Sequence, residues 1–294
     1  MLLIGCATTQ APQRALFQEE TTIRVALQKE PLKVSEIGLE EYLMGVLGGE
    51  IPREWPLEVL KAQAVAARTY TLYRKQNPRS EFYDLESTVE DQVFGPTGKK
   101  DKKIHQAVSE TWGEVLKKGE EPFTAYYHSC CGGRLEEAST IWAKGEEPFV
   151  TDSYCTACPS YSWEEEISKS ELVSLLADWG LEADRPWSLK ISLTTQSGRA
   201  KELVLTTSSG TKKISTNDFR RRLGYQRIKS NWFEIEEKEE VYLFRGHGSG
   251  HGVGLCQWGA KGMAEQGLTY QEILKFYYPD TTIEKWHPLS VDPE

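Results

Sequence analysis

A single carboxylate, Glu50, stands in Gly48-Gly49-Glu50-Ile51-Pro52, between a short apolar segment and an alanine-rich helix begun by Pro56. Glycine backbone beside it can approach a ligand closely. The neighbours Leu47, Ile51 and Trp55 disfavour the ionised form, which suits a general acid. The competing reading makes Glu50 a cap of the helix that starts near Pro56. Far along the chain, Arg245-Gly246-His247-Gly248-Ser249-Gly250-His251-Gly252-Val253-Gly254 has glycine at every second position. In an extended strand, period two puts Arg245, His247, Ser249, His251 and Val253 on one face and bare backbone on the other. His247 and His251 then lie about 13 Å apart and line a cleft separately. Five glycines argue against a helix, and a loop bent around zinc is the alternative. No start position yields Gly-x-Gly-x-x-Gly and no Gly-Lys-Ser/Thr follows, which argues against nucleotide binding.

The cysteines suggest a second kind of chemistry. Cys155-Thr156-Ala157-Cys158 is a Cys-x-x-Cys knuckle, and Cys131 follows His128 by three and precedes Gly132-Gly133. His128, Cys131, Cys155 and Cys158 could close a tetrahedral zinc site. A disulfide between the two clusters is the rival in an oxidising compartment, and free buried thiols are a third reading. Cys256 stands apart and reads as a packed thiol.

These groups need a scaffold, and a chain of 294 residues can bury a full core. Its formal net charge of −9, with both signs interspersed, argues against nucleic acid as a partner and against docking on anionic membrane. Nine Trp and thirteen Tyr suit sugar rings as well as cores. Met1-Leu2-Leu3-Ile4-Gly5-Cys6-Ala7 ends in the form of a bacterial lipoprotein acylation site. Its apolar stretch is short for a signal peptide, so residues 1–20 are read as a truncated signal or flexible N-terminus, with an ordinary buried start as the alternative. No other segment approaches the roughly 18–20 apolar residues of a spanning helix, so membrane contact is expected only through a lipid at Cys6.

Alternation predicts strands over residues 22–34, and a short helix over 39–47 ends in the glycine pair. A second helix from Pro56 carries the stripe Leu57, Leu60, Ala64, Ala67. Residues 76–101 read as a long functional loop with Tyr83, Gln92 and Phe94 as candidate cleft residues. A helix over 168–179, two strands within 189–206 joined at Ser197-Gly198 and a basic helix over 216–222 follow. Thr269-Tyr270-Gln271-Glu272 is a capping box opening a last helix. The pattern predicts an α+β fold of mixed short strands and helices over 21–294, with about 160–235 as an inserted or loosely attached subdomain.

Three ordered motifs resemble the SpoIID/LytB family of sporulation and cell-division peptidoglycan proteins. The first runs from Leu39 through Gly48-Gly49-Glu50-Ile51-Pro52 to Ala66-Ala67-Arg68-Thr69-Tyr70. The second is Tyr127-His128-Ser129 with Gly132-Gly133 and Trp142, and the third is Gly248 to Ala260 with Tyr270 to Tyr278. The resemblance implies a lytic transglycosylase of the cell envelope or periplasm. It would cleave MurNAc–GlcNAc bonds of denuded, peptide-free glycan strands, with Glu50 as catalytic acid. Wider family members enhance a cell-wall amidase, which makes a non-catalytic glycan-binding enhancer the rival reading, and some bind zinc. Such chemistry requires no cofactor, and zinc would be structural. Internal attack by the sugar's own 6-hydroxyl lets one carboxyl act as acid and then base, so the second carboxylate of ordinary glycosidases is dispensable. His128, Ser129, His247, Ser249, His251 and Gln257 are then expected to contact the glycan. Arg68 would hold Glu50 or a lactyl carboxylate, unless it forms a structural salt bridge. Tyr126 and Trp258 are stacking platforms or core residues. A zinc amidase or peptidase is a third reading, and no His-Glu-x-x-His supports it.

Overall fold

The computed structural model describes residues 21–95, 100–119, 121–122, 124–137, 151–176, 179–180 and 186–286. Cys6 and Trp142 lie outside the described residues. The fold is α+β, and small sheets take the place of one large one.

The first half is organised by helices. Strands β1 (Thr22–Lys29) and β2 (Leu32–Gly38) form an antiparallel hairpin, and β3 (Leu85–Glu86) adds to β1 in parallel. Helix α1 (Leu39–Glu50) and helix α2 (Leu57–Gln76) follow directly. At 20 residues, α2 is about 30 Å long. Ala62, Ala64, Ala66 and Ala67 are all fully buried, so several elements approach its backbone closely. Helix α3 (Lys102–Glu110) packs on it, as does β4 (Glu114–Lys118), which pairs with the short β5 (Glu121–Pro122). Asp101 caps α3 through its side chain, which accepts from the Lys103 and Ile104 amides, satisfying donors that a helix start leaves unpaired.

Strand β6 (Tyr127–His128) and a 3-10 turn at Cys155–Ala157 come next in the chain, followed by a second core. That core lies between the sheet of β7 (Ser162–Ser168), β11 (Phe233–Glu237) and β12 (Val241–His247) and the meander β8 (Pro186–Thr194), β9 (Ala200–Thr207) and β10 (Gly210–Ser215). Helices α4 (Lys169–Leu176) and α5 (Thr216–Leu223) cover it. Trp163, Ile167, Leu203, Phe219 and Phe244 are among its buried side chains, which form a cluster separate from the one around α1 and α2. The separate cluster reaches residue 244, further than the 160–235 expected from sequence.

The last elements return to the first core. Strand β13 (Leu255–Cys256) pairs in parallel with β6, helix α6 (Gln257–Glu265) leads off from it, and α7 (Tyr270–Tyr277) follows with the expected reciprocal capping box of Thr269 and Glu272. Strand β14 (Thr282–Lys285) closes the sheet on β4. No described helix is long and apolar enough to cross a membrane.

Candidate functional site

Helix α1 does not stop at its glycines. It runs through them and ends on Glu50. The reason lies in what the glycines face: a Cβ on Gly45 would sit 2.1 Å from the Phe94 ring, and one on Gly49 would sit 2.6 Å from the Val93 carbonyl oxygen. Spaced by four, both lie on one helix face. They clear a shelf on which residues 92–95 rest, with Phe94 stacked on Tyr42 at 5.4 Å. That close approach brings the Val93 amide to Glu50, where it donates to Oε1 at 2.7 Å.

Gln257, first residue of α6, reaches Glu50 from the other end of the chain. Its Nε2 makes a long 3.5 Å contact with Oε2 and another of 3.4 Å with Gln63 Oε1. Glu50 forms no salt bridge among the described residues. Desolvation raises its pKa, and the hydrogen bonds from Val93 and Gln257 oppose that rise without cancelling it. Its place at a helix C-terminus, where carbonyl dipoles present partial negative charge, disfavours ionisation further. Nearby Tyr127 carries a buried hydroxyl that makes no hydrogen bond of good geometry among the described residues; burial and then the Glu50 charge hold its pKa well above the usual phenol range, with the Gln92 side chain opposing them. Trp55 and Trp258 meet edge to face at 4.9 Å, and the Lys261 ammonium sits over both rings.

Arg68 is not available to Glu50 or to a ligand. Fully buried, it grips Glu40 through Nε and Nη2 at 2.8 and 2.6 Å, and its Nη1 donates to the Glu114 carbonyl. The structural salt bridge therefore replaces the substrate-contact expectation. Arg68→Ala should cost about 3–5 kcal/mol, because it strands the buried Glu40 charge. Urea unfolding measures this; unchanged stability together with lost glycan binding would restore the substrate role.

The glycine run also departs from expectation. It is extended only to His247, and beyond it Gly248, Gly250, Gly252 and Gly254 all take positive φ, from 67° to 103°. The run winds against residues 126–136 instead of forming a flat strand. Ser249 and Cys130 exchange both backbone hydrogen bonds, and the Glu136 amide donates to the Gly252 carbonyl. A Cβ at Gly254 would fall 2.1 Å from the Tyr126 carbonyl oxygen, so close backbone contact as well as the left-handed conformation demands glycine there.

The histidines consequently differ from a row of sugar-facing side chains. His251 accepts from the Val253 amide on Nδ1 at 3.1 Å, which places its proton on Nε2, facing the Tyr127 carbonyl at 2.9 Å. Burial lowers its pKa to about 3, so it is neutral. His128 faces the Val253 carbonyl with Nδ1 at 3.0 Å, and its buried Nε2 has no partner among the described residues. His247 lies against Trp232, ring centroids 4.8 Å apart and tilted by 43°, its Nδ1 3.3 Å from the Tyr161 carbonyl. The Ser129 carbonyl accepts from the Trp258 amide. Ser249 and His251 line a cavity of about 570 Å³, and His251 also borders one of about 120 Å³ lined by Tyr70, Tyr126 and Tyr127. Glu50 lines neither of these two cavities. Of the predicted contacts, Gln257 touches Glu50 directly, while Tyr126, Ser249 and His251 line these two cavities.

The cysteines gather, with a membership that differs from the one expected. Ligand atoms of Cys131, Asp152, Cys155 and Cys256 all lie within 4.8 Å of one another and are buried. His128 and Cys158 do not belong to the group. Cys256, far away in sequence, arrives through the β13–β6 pairing. Asp152 precedes Cys155 by three, a spacing that could have drawn notice. The Cys131 and Cys155 sulfurs are 3.3 Å apart, the Cys131 thiol donates to Asp152 Oδ2 at 3.3 Å, and Tyr277 donates to the same oxygen at 2.8 Å. All five described cysteines are free thiols, so the expected rival disulfide is not formed. Three sulfurs and a carboxylate at this spacing suit tetrahedral zinc, and the group could hold a structural metal.

Comparison with known proteins adds to this geometry. Residues 28–117 match the family described as stage II sporulation protein (SpoIID), and residues 138–254 match a domain of unknown function (DUF8618). The chain is 34% identical over 264 residues to an uncharacterized protein of Brachyspira hyodysenteriae, spanning 89% of this chain and 70% of that one. It is 31% identical over 292 residues to the amidase enhancer of Bacillus subtilis, spanning 83% of this chain and 40% of that one. With stage II sporulation protein D of Bacillus amyloliquefaciens the identity is 30% over 271 residues, spanning 86% of this chain and 76% of the relative. On these matches, and on the α1–α2 scaffold that holds Glu50, the chain belongs to the SpoIID family.

Proposed function

We propose that this chain is an exported cell-wall enzyme that cleaves MurNAc–GlcNAc bonds of peptide-free glycan strands, leaving 1,6-anhydro ends. The observation that carries the reading is Glu50: a carboxyl with no salt bridge, a raised pKa and two oriented hydrogen-bond donors. Protonated, it delivers its proton to the leaving glycosidic oxygen. The carboxylate so formed takes the proton of the MurNAc 6-hydroxyl as that oxygen attacks C1, which closes the anhydro ring and regenerates the acid. Val93 N–H and Gln257 stabilise the intervening carboxylate, so the pKa is raised without trapping the proton. No cofactor takes part in these steps. Where a metal binds, Cys131, Asp152, Cys155 and Cys256 would hold it, fixing the start of α6 from which Gln257 reaches Glu50.

A second reading has one observation in its favour, the match to an amidase enhancer: the chain would bind glycan and stimulate a partner amidase without cutting. Incubating the protein with purified denuded strands and analysing the products by mass spectrometry separates the two. New 1,6-anhydro ends are expected. Their absence, with glycan binding intact and a cell-wall amidase accelerated, would replace the first reading with the second.

A further inference from the structure

Helix α5 carries a charge that the chemistry above does not use. Arg220 is only 5% exposed. Its Nε donates to the Ile228 carbonyl at 2.9 Å and its Nη2 to the Lys229 carbonyl at 2.7 Å. Among the described residues no carboxylate pairs with it, and Nη1 has no hydrogen-bond partner. The nearest acid in sequence, Asp218, is taken up by Arg221, Arg222 and the Trp179 indole. Burial without a counter-ion pulls the Arg220 pKa down to about 10. The guanidinium lies over the Tyr225 ring at 5.2 Å, a contact that carries no negative charge, and a buried cation without a counter-ion is unfavourable unless something compensates it.

The compensation has room to enter. Arg220 lines the 570 Å³ cavity together with Arg79, Arg221 and Lys229. Against these four cations stand two acids, Glu90 and Asp218. Arg79 is held by Asp91, as Arg221 is by Asp218, so Arg220 and Lys229 are the charges without an ion pair among the described residues. The rest of the chain is acidic, with a formal net charge of −9, which makes a cationic cavity a local feature and not a reflection of composition. His251 lines it too, and also borders the smaller cavity lined by Tyr126 and Tyr127; Tyr127 is the neighbour whose phenol feels the Glu50 charge.

We propose that this cavity is a carboxylate subsite, in which Arg220, with Lys229 beside it, pairs with the lactyl carboxylate that a MurNAc residue exposes once its stem peptide is gone. The proposal rests on the glycan reading above. A stem peptide converts that carboxylate into a neutral amide and adds bulk, so a peptide-bearing strand would leave Arg220 desolvated and unpaired. Sites built around a buried polar partner reject ligands that lack it far more strongly than apolar sites reject a missing methylene. The subsite thus gives a physical reason for a preference for denuded strands.

The test reads binding, not cleavage. Isothermal titration compares soluble denuded glycan with the same glycan after its carboxylates are converted to methylamides, and with N-acetylglucosamine oligomers that lack the lactyl group. For the unaltered chain, the two neutral ligands should bind at least tenfold more weakly than the denuded glycan. Arg220→Gln should bring all three to similar affinity, and Lys229→Gln, at a residue whose side chain is not part of the core, should shrink the difference while the protein melts normally. Equal affinity of the unaltered chain for charged and amidated glycan overturns the subsite, as does a preference undiminished in either variant. Missing 1,6-anhydro ends would leave these outcomes unaffected, so failure of the catalytic reading and failure of the subsite are told apart.

Discussion

Glu50→Gln should lower turnover of denuded glycan by about 10²–10⁴-fold, the range covered by a positioned acid–base group, while leaving the protein at least as stable at neutral pH. The second half follows from the sign of its pKa shift. Because the folded state raises the Glu50 pKa, folding takes up a proton between the ordinary carboxylate value and the raised one. Stability is therefore highest below that window and falls as pH rises through it. Glutamine keeps the shape and removes the penalty, so a variant that is inactive and melts no lower than the parent isolates chemistry from folding. The same shift predicts the pH–rate profile: the protonated acid starts the reaction, so kcat declines on an alkaline limb displaced above the usual carboxylate range. Gln257→Leu removes a hydrogen bond that lowers the Glu50 pKa, and should move this limb to higher pH. A limb that stays put, or a Glu50→Gln enzyme with undiminished yield, would remove Glu50 from the chemistry.

Much of the scaffold was legible because local chemistry and tertiary packing agree. The alanine stripe of α2, the turn at Ser197-Gly198, the basic helix ended by Gly224 and the Thr269–Glu272 capping box appear where patterning puts them. Glycine is where legibility failed, twice and for opposite reasons. Gly48-Gly49 looks like a helix end, yet the helix continues because a neighbouring backbone, not a turn, needs the space. Alternate glycines in 246–254 look like a strand with a bare face, yet four of them supply positive φ, which a period-two pattern cannot distinguish from extension. The cysteine group failed for a topological reason. Cys256 joins Cys131 through a parallel strand pairing and neighbouring backbone bonds between residues more than a hundred apart, and no spacing rule encodes that. Arg68 was ambiguous since its partner Glu40 lies one helix earlier, with the pairing set by how α1 crosses α2.

Zinc should bind the cysteine group and raise the melting temperature by roughly 8–16 °C. The estimate combines about 4 kcal/mol of stabilisation when free metal exceeds Kd a thousandfold with about 2–4 °C per kcal/mol for a chain of this size class. The geometry says which residues carry the effect. Cys131, Asp152, Cys155 and Cys256 converge, whereas His128 is turned to the Val253 carbonyl; Cys158 lies beside the Cys130 thiol, outside the four. Cys155→Ser and Cys256→Ser should therefore lose both the metal and the thermal shift, and Cys158→Ser and His128→Asn should keep them. The consequence reaches the cleft through α6. Cys256 is its N-cap, its sulfur accepting from the Gly259 and Cys131 amides, and the next residue is Gln257. Loosening the group should thus let Gln257 leave Glu50, and the alkaline limb of the pH–rate profile should shift upward in Cys155→Ser as it does in Gln257→Leu. Metal analysis by mass spectrometry and a melt with and without chelator decide the matter. A purified chain that takes up no zinc and melts identically under chelation would leave the group a set of packed thiols, and the pH limb of Cys155→Ser should then coincide with that of the parent.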